Sequence, residues 1–154
     1  MNELHPASVE ALQELEAETR HLYAVLIRER AVLRDRQWEK VLESTAEKTA
    51  SLARVDDLWE RLTGLPASKD IIPDWLADLT STGPAEIQAV WAEIRHLARR
   101  CRELNESNGA TIALLQEYNR KSLELVFGQR RQRVGYGADG QVQAEVGDRL
   151  LGAT

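Results

Sequence analysis

The chain has 154 residues, a net charge of −5, 43% hydrophobic and 29% charged residues, and one residue each of Phe, Met and Cys. That is the length of a single domain, and the mixture suits amphipathic helices better than a β-sandwich, which needs more aromatic and β-branched residues. The acidic balance argues against a nucleic-acid binder, because neutralising phosphates takes a surplus of Lys and Arg.

A single Cys101 rules out an internal disulfide, in keeping with a reducing cytoplasm. Met1 to Glu10 has neither a basic nor an apolar leader region, so no secretory signal is expected. No run reaches the roughly 18 apolar residues that span a bilayer, so no membrane insertion is expected either.

In chain order, the first helix is predicted to begin near Pro6 and Ser8, with Ser8 as N-cap and Glu10 in the first turn facing the helix dipole. Its seam reads Leu12, Leu15, Thr19, Leu22, Leu26, Glu29, Leu33. Continuing that rhythm would bury Arg36, Lys40, Glu43 and Glu47, whereas the apolar pattern restarts at Trp38 and runs Val41, Thr45, Lys48, Leu52, Val55, Trp59, Leu62. A jump of five residues turns the stripe away from its partner, so a turn or sharp kink is placed at Asp35 to Gln37, with Asp35 capping the second helix. Gly64 and Pro66 end that helix, the first by tolerating a left-handed stop and the second by being unable to continue.

Residues 65 to 72 read as a connection. Pro73 at a first helical position starts a short apolar segment (Trp75, Leu76, Leu79), read as a small helix across the bundle end, and Thr80 to Gly83 as a turn. Pro84 opens the longest pattern, Glu86 to Phe127, whose seam is Ile87, Val90, Ile94, Leu97, Cys101, Leu104, Asn108, Thr111, Leu115, Tyr118, Ser122, Leu125. Such three-and-four spacing is that of a coiled-coil-like bundle, and about 1.5 Å per residue makes this helix roughly 60 Å long, the spine of an elongated bundle. Cys101 on the seam reads as a small buried hydrophobe rather than a reactive thiol. Gly109 should cost about 1 kcal/mol relative to Ala without breaking the helix. Asn108 is a candidate register residue, paired with Thr45 or Lys48. Gly128 is expected to end the helix.

The expected fold is therefore all-α, an elongated antiparallel bundle of three long helices plus a short one. The expected domains are a helical body over residues 1–128 and a flexible tail over 129–154, the tail having too few apolar residues for a core.

Three motifs invite chemical readings. Glu18 to His21 and Glu93 to His96 are Glu-x-x-His pairs of the kind that hold iron in ferritin-like bundles, but the heptad phase turns both His residues outward, away from where ligands must point. Gly135 to Gly140 matches G-x-G-x-x-G without the preceding strand and following helix that pyrophosphate binding requires, so no cofactor is expected. Arg130, Arg131 and Arg133 sit where cations complement a helix C-terminus. No nucleophile–base pair, Walker loop or metal-ligand spacing stands out, so neither a catalytic residue nor a metal ligand is assigned and an enzyme is not expected.

Two stretches together resemble the FlgN family: Leu104-Asn105-Glu106-Ser107-Asn108-Gly109 with the helix following to Leu125, and Tyr136-Gly137-Ala138-Asp139-Gly140-Gln141 in the tail. Asp35 near a helix start, and Lys48 and Leu52 in the next helix, fit the same pattern. The resemblance implies a cytoplasmic, non-enzymatic chaperone of the flagellar type III export system. Such a chaperone binds hook-associated proteins of the hook–filament junction (FlgK and FlgL), prevents premature assembly and delivers them to the export gate. It further implies that the C-terminal region engages the client and that Tyr136 contacts the cytoplasmic domain of the gate protein FlhA.

The residues are compatible with that role. Two N-terminal helices of roughly 40 Å cannot sheathe the whole spine, leaving part of Ile112 to Phe127 as a groove. Ile112, Leu115, Leu123, Val126 and Phe127 are the candidate client contacts, against the competing reading that they only pack within the bundle. Val142, Val146 and Leu150 recur every four residues, so the tail has the pattern of a helix that forms on the client. The alternatives to the chaperone are a structural coiled-coil adaptor or self-assembling protein and, more distantly, a metal-dependent bundle enzyme.

Overall fold

The computed structural model describes the backbone of residues 6–134 and the side chains of residues 8–128. Four α-helices follow one another: α1 Pro6–Arg34, α2 Val41–Thr63, α3 Asp74–Thr82 and α4 Ala85–Val134, with single 3₁₀ turns at Trp38–Lys40 and Ala67–Lys69. This is the all-α set of three long helices and a short one that the periodicities predict, with no strand among the described residues. The chain divides into two compact units, Met1–Ile112 and Ala113–Thr154.

In the first unit, α2 runs back along α1. Glu18 meets Ser51 and Arg54, while Glu29 meets Lys48, so rising numbers on one helix face falling numbers on the other. The start of α4 runs parallel to α1, since Cys101 lies at Thr19 and Asn108 at Leu26. Most of the predicted seam of α1 and the first half of that of α4 form the core: Leu12, Leu15, Ile87, Trp91 and Ile94 pack with Leu76 of α3, and Leu22, Leu26, Cys101 and Leu104 form a second cluster. Each fully buried Leu contributes about 1.5–3 kcal/mol. Trp91, off the predicted seam, stacks on Trp59 with ring centroids 6.4 Å apart.

The turn between α1 and α2 falls at Asp35 to Gln37, where the phase jump puts it, by a device with no marker residue. Gln37 N–H donates to Val32 O (3.0 Å) and Arg36 N–H to Leu33 O (3.3 Å), a Schellman stop with Arg36 in the left-handed position at φ 54°. Gly usually occupies that place, because any other residue there costs about 1–2 kcal/mol. Asp35 is not the cap of the second helix: no side chain caps either the 3₁₀ turn or α2, and the Asp35 carboxylate accepts from Arg34 Nε at 3.0 Å. Gly64 (φ 69°) does end α2, donating its N–H to Glu60 O.

Other boundaries shift. α1 already runs from Pro6, so Ser8 lies inside it and is not its N-cap. α3 continues to Thr82 through the stretch expected to be a turn. Pro73 precedes α3 as an extended N-cap whose carbonyl accepts from Leu76 and Ala77, one residue earlier than expected. At the other end, α4 passes through Gly128 to Val134, so Gly128 is not its stop; a Gly with no neighbour pressing on it is tolerated inside a helix at a propensity cost only. Gly109 likewise lies within the continuous helix.

The inward face of α2 keeps Val55, Trp59 and Leu62 of its predicted seam, packed against the first core cluster, but differs from it elsewhere. Ser44 and Ser51 are the buried residues facing α1, and Leu52 is 38% exposed. Small hydroxyl side chains let α1 and α2 approach closely, and Ser51 Oγ satisfies its own donor on Glu18 Oε1 (3.0 Å). The carboxylates of both Glu-x-x-His motifs are structural: Glu18 accepts from Arg54 Nε at 2.9 Å and Glu93 lies 3.5 Å from Arg20, while His21 and His96 are exposed, as the heptad phase requires.

Candidate functional site

Along the first unit the row of inward positions on α4 ends on a buried polar cluster. Asn108 is 2% exposed and its Nδ2 donates to Leu26 O (3.1 Å) and to Glu29 Oε1 (3.0 Å). Glu29 is wholly buried, and Lys48 Nζ stands 3.2 Å from both of its oxygens, donating to Oε1 and leaving Oε2 with ionic contact alone. Asn108 thus pairs with α1, not with Thr45 or Lys48 as expected; Lys48 joins through the shared carboxylate. Three helices are keyed at one level, since any slip of register would strand a buried charge. Burial also pushes the Cys101 thiol up to about 11, holding it protonated and unreactive.

Past that cluster the same helix changes its surroundings. Among the candidate client contacts, Ile112 and Leu115 are half-buried and Leu123, Val126 and Phe127 exposed. At 3.6 residues per turn these five fall within an arc of about 120° on α4. Leu114, Tyr118 and Leu125 are more exposed still and form a second stripe on the other side. Tyr118 and Leu125 belong to the predicted seam; Leu114 was missed by heptad reading, and only its place on the helical wheel beside them marks it.

Between the stripes runs a charged strip. Arg120 bridges Glu117 (2.8 Å) and Glu124, and Lys121 lies 3.5 Å from Glu117. Hydrogen bonding to Arg120, followed by the charges of Arg120 and Lys121, holds the Glu117 carboxyl down at about 2, and Glu117 in turn raises the Arg120 guanidinium. Such i,i+3 and i,i+4 pairs support a helix that neighbours do not. A helix with exposed apolar stripes, laced by its own ion pairs, offers surface against which apolar faces of another chain can lie.

Tyr136, Val142, Val146 and Leu150, and the Gly135 to Gly140 motif, lie outside the described residues. Among the described residues no helix is long and apolar enough to cross a membrane.

The family model described as FlgN protein matches residues 6–144 of the chain. No curated protein and no solved structure matches it.

Proposed function

The chain belongs to the FlgN family of flagellar export chaperones, and from that premise we propose that it binds hook-associated proteins of the FlgK and FlgL type in the cytoplasm. It holds them from premature assembly and delivers them to the cytoplasmic domain of an FlhA-type export gate. The observation that supports this reading is the uncovered apolar length of α4: Leu123, Val126 and Phe127 are about half exposed on a helix laced by its own ion pairs. A client helix laid on Ile112, Leu115, Leu123, Val126 and Phe127 removes that surface from water at about 25 cal/mol per Å². Val142, Val146 and Leu150 extend the contact along the tail, and Tyr136 presents the loaded complex to the gate. Binding is stoichiometric; no cofactor and no catalytic step enter.

Co-purification with a FlgK- or FlgL-type protein tests the surface. The wild-type chain forms a stable complex, and the Leu115→Asp/Val126→Asp variant, with its helical circular dichroism unchanged, loses it. A complex that survives both substitutions removes this surface from the proposal. Tyr136→Ala separates the two partners: client binding persists while binding to the gate domain falls, and equal loss of both assigns the tail a different part.

A further inference from the structure

Within the first unit a cleft of about 570 Å³ opens between α2 and α4 beside the Trp59–Trp91 stack. Its α2 wall is the predicted seam of that helix, Leu52, Val55 and Trp59, and Trp91, Ile94 and Ala98 of α4 face them. The apolar walls reach the surface: Leu52 is 38% exposed, and Ile72 at the mouth 47%. Between Trp91 and Asn105, both lining residues, α4 rises about 21 Å, four turns of a docked helix.

The rim is mainly cationic. Arg95, Arg99 and Arg102 follow at four- and three-residue steps along the α4 edge, with Asp70 the single acidic lining residue; Lys48 also lines the cleft but is already paired with Glu29. Arg20, Arg28, Arg54 and Arg61 each bridge to a Glu on another helix. Arg95, Arg99 and Arg102, all exposed, enter no ion pair among the described residues. In a chain of net charge −5 this is an uncompensated cationic row, and like charges at i,i+4 cost the helix a few tenths of a kcal/mol on their own.

We propose that the cleft between α2 and α4 receives an acidic amphipathic helix of a partner protein. Its apolar stripe lies against Leu52, Trp59 and Trp91, and its Asp and Glu flank meets Arg95, Arg99 and Arg102. The apolar walls set the helical stripe, and the guanidinium row sets its direction and charge. This surface is built from residues 48–105 and goes beyond the client reading of Ile112 to Phe127, giving the chaperone two separable binding faces.

The probe is a fluorescein-labelled designed peptide of about five helical turns, with leucines at i, i+3, i+4 and i+7 and Glu on both flanks, titrated into the full chain. A control peptide carries Lys in place of every Glu. The acidic peptide binds about tenfold or more tighter than the basic one, weakens with added salt, and shifts the Trp59 and Trp91 indole resonances but not that of Trp38. Arg95→Glu/Arg99→Glu, both exposed and so tolerated by the fold, loses about tenfold for the acidic peptide and reverses the preference. Leu52→Asp weakens both peptides, and Leu115→Asp/Val126→Asp leaves both unchanged. Equal binding of the two peptides, indifference to Arg95→Glu/Arg99→Glu, or a chain dimer that Leu52→Asp dissolves and the peptide cannot enter, would each overturn the assignment.

Discussion

The two halves of α4 present one row of residues in two conditions. From Ile87 to Asn108 the positions three and four apart are buried or half-buried; from Thr111 to Leu125 the same spacing continues with Leu115 half-buried and Tyr118 and Leu125 more than two-thirds exposed. The spacing does not separate the halves, although Thr111, Tyr118 and Ser122 make the second row more polar. Helical periodicity states that a face wants cover, and the source of the cover is a separate matter: α1 and α2 have 29 and 23 residues against 50 in α4. Under the proposed function the uncovered half is where a second chain would enter, and its exposed apolar surface is what that binding would use.

The largest effect that sharpens this contrast lies in the buried cluster. Lys48→Met leaves the wholly buried Glu29 carboxylate without its cation, and urea unfolding should show a loss of roughly 3–5 kcal/mol. The double variant Glu29→Met/Lys48→Met should regain most of it, because Asn108 keeps the Leu26 carbonyl and the desolvated charges are gone. A double variant as unstable as the single one would mean that packing of the lysine stem, not the ion pair, holds the three helices together.

Next comes a matched pair on one seam. Leu104 is 6% exposed and Leu125 68%. Leu104→Ala should lower the unfolding free energy by about 2–5 kcal/mol, by lost transfer energy plus the cavity left behind, whereas Leu125→Ala should change it by less than about 0.5 kcal/mol. Comparable losses at both sites would show that the second half is covered in the free protein, and the contrast between the halves would fall.

Much of this was legible beforehand, and the misses have physical reasons. The seams of α1 and of the first half of α4, the turn at residues 35–37, the Gly64 stop and the outward His21 and His96 follow from periodicity and phase. The Schellman stop at Arg36 had no sequence marker, because hydrogen bonds from Arg36 and Gln37 override the residue's own preference. Asn108 was legible as a register residue but not its partner: choosing Glu29 over Thr45 or Lys48 requires knowing that α4 runs parallel to α1, which no local pattern encodes. Ser44 and Ser51 were passed over because hydropathy rewards large apolar residues, while close helix approach rewards small ones. The cleft was invisible for the opposite reason: Leu52, Val55 and Trp59 have the pattern of a seam whether or not a neighbour closes on it.

The smallest effect probes what keeps the open half of α4 helical without a neighbour. Glu117, exposed at the surface, has its carboxyl lowered from 4.5 to about 2 by the Arg120 hydrogen bond first and by charge second. A carboxylate depressed by folding contributes stability that is present above the unfolded value near 4.5 and is lost as pH falls through about 2. A carboxyl-detected NMR titration should therefore find Glu117 still ionised at pH values where neighbouring free carboxyls have taken up protons. Arg120→Gln should return it toward 4.5, and Cα shifts should then report weaker helix around residues 117–124, an effect that added salt reproduces in the wild type by screening. The first half of α4 should not respond to any of these changes, since its order rests on buried contact. If Glu117 titrates normally and the open half stays equally helical, its helicity comes from covering surface, and the reading of Ile112 to Phe127 as a vacant face loses its physical ground.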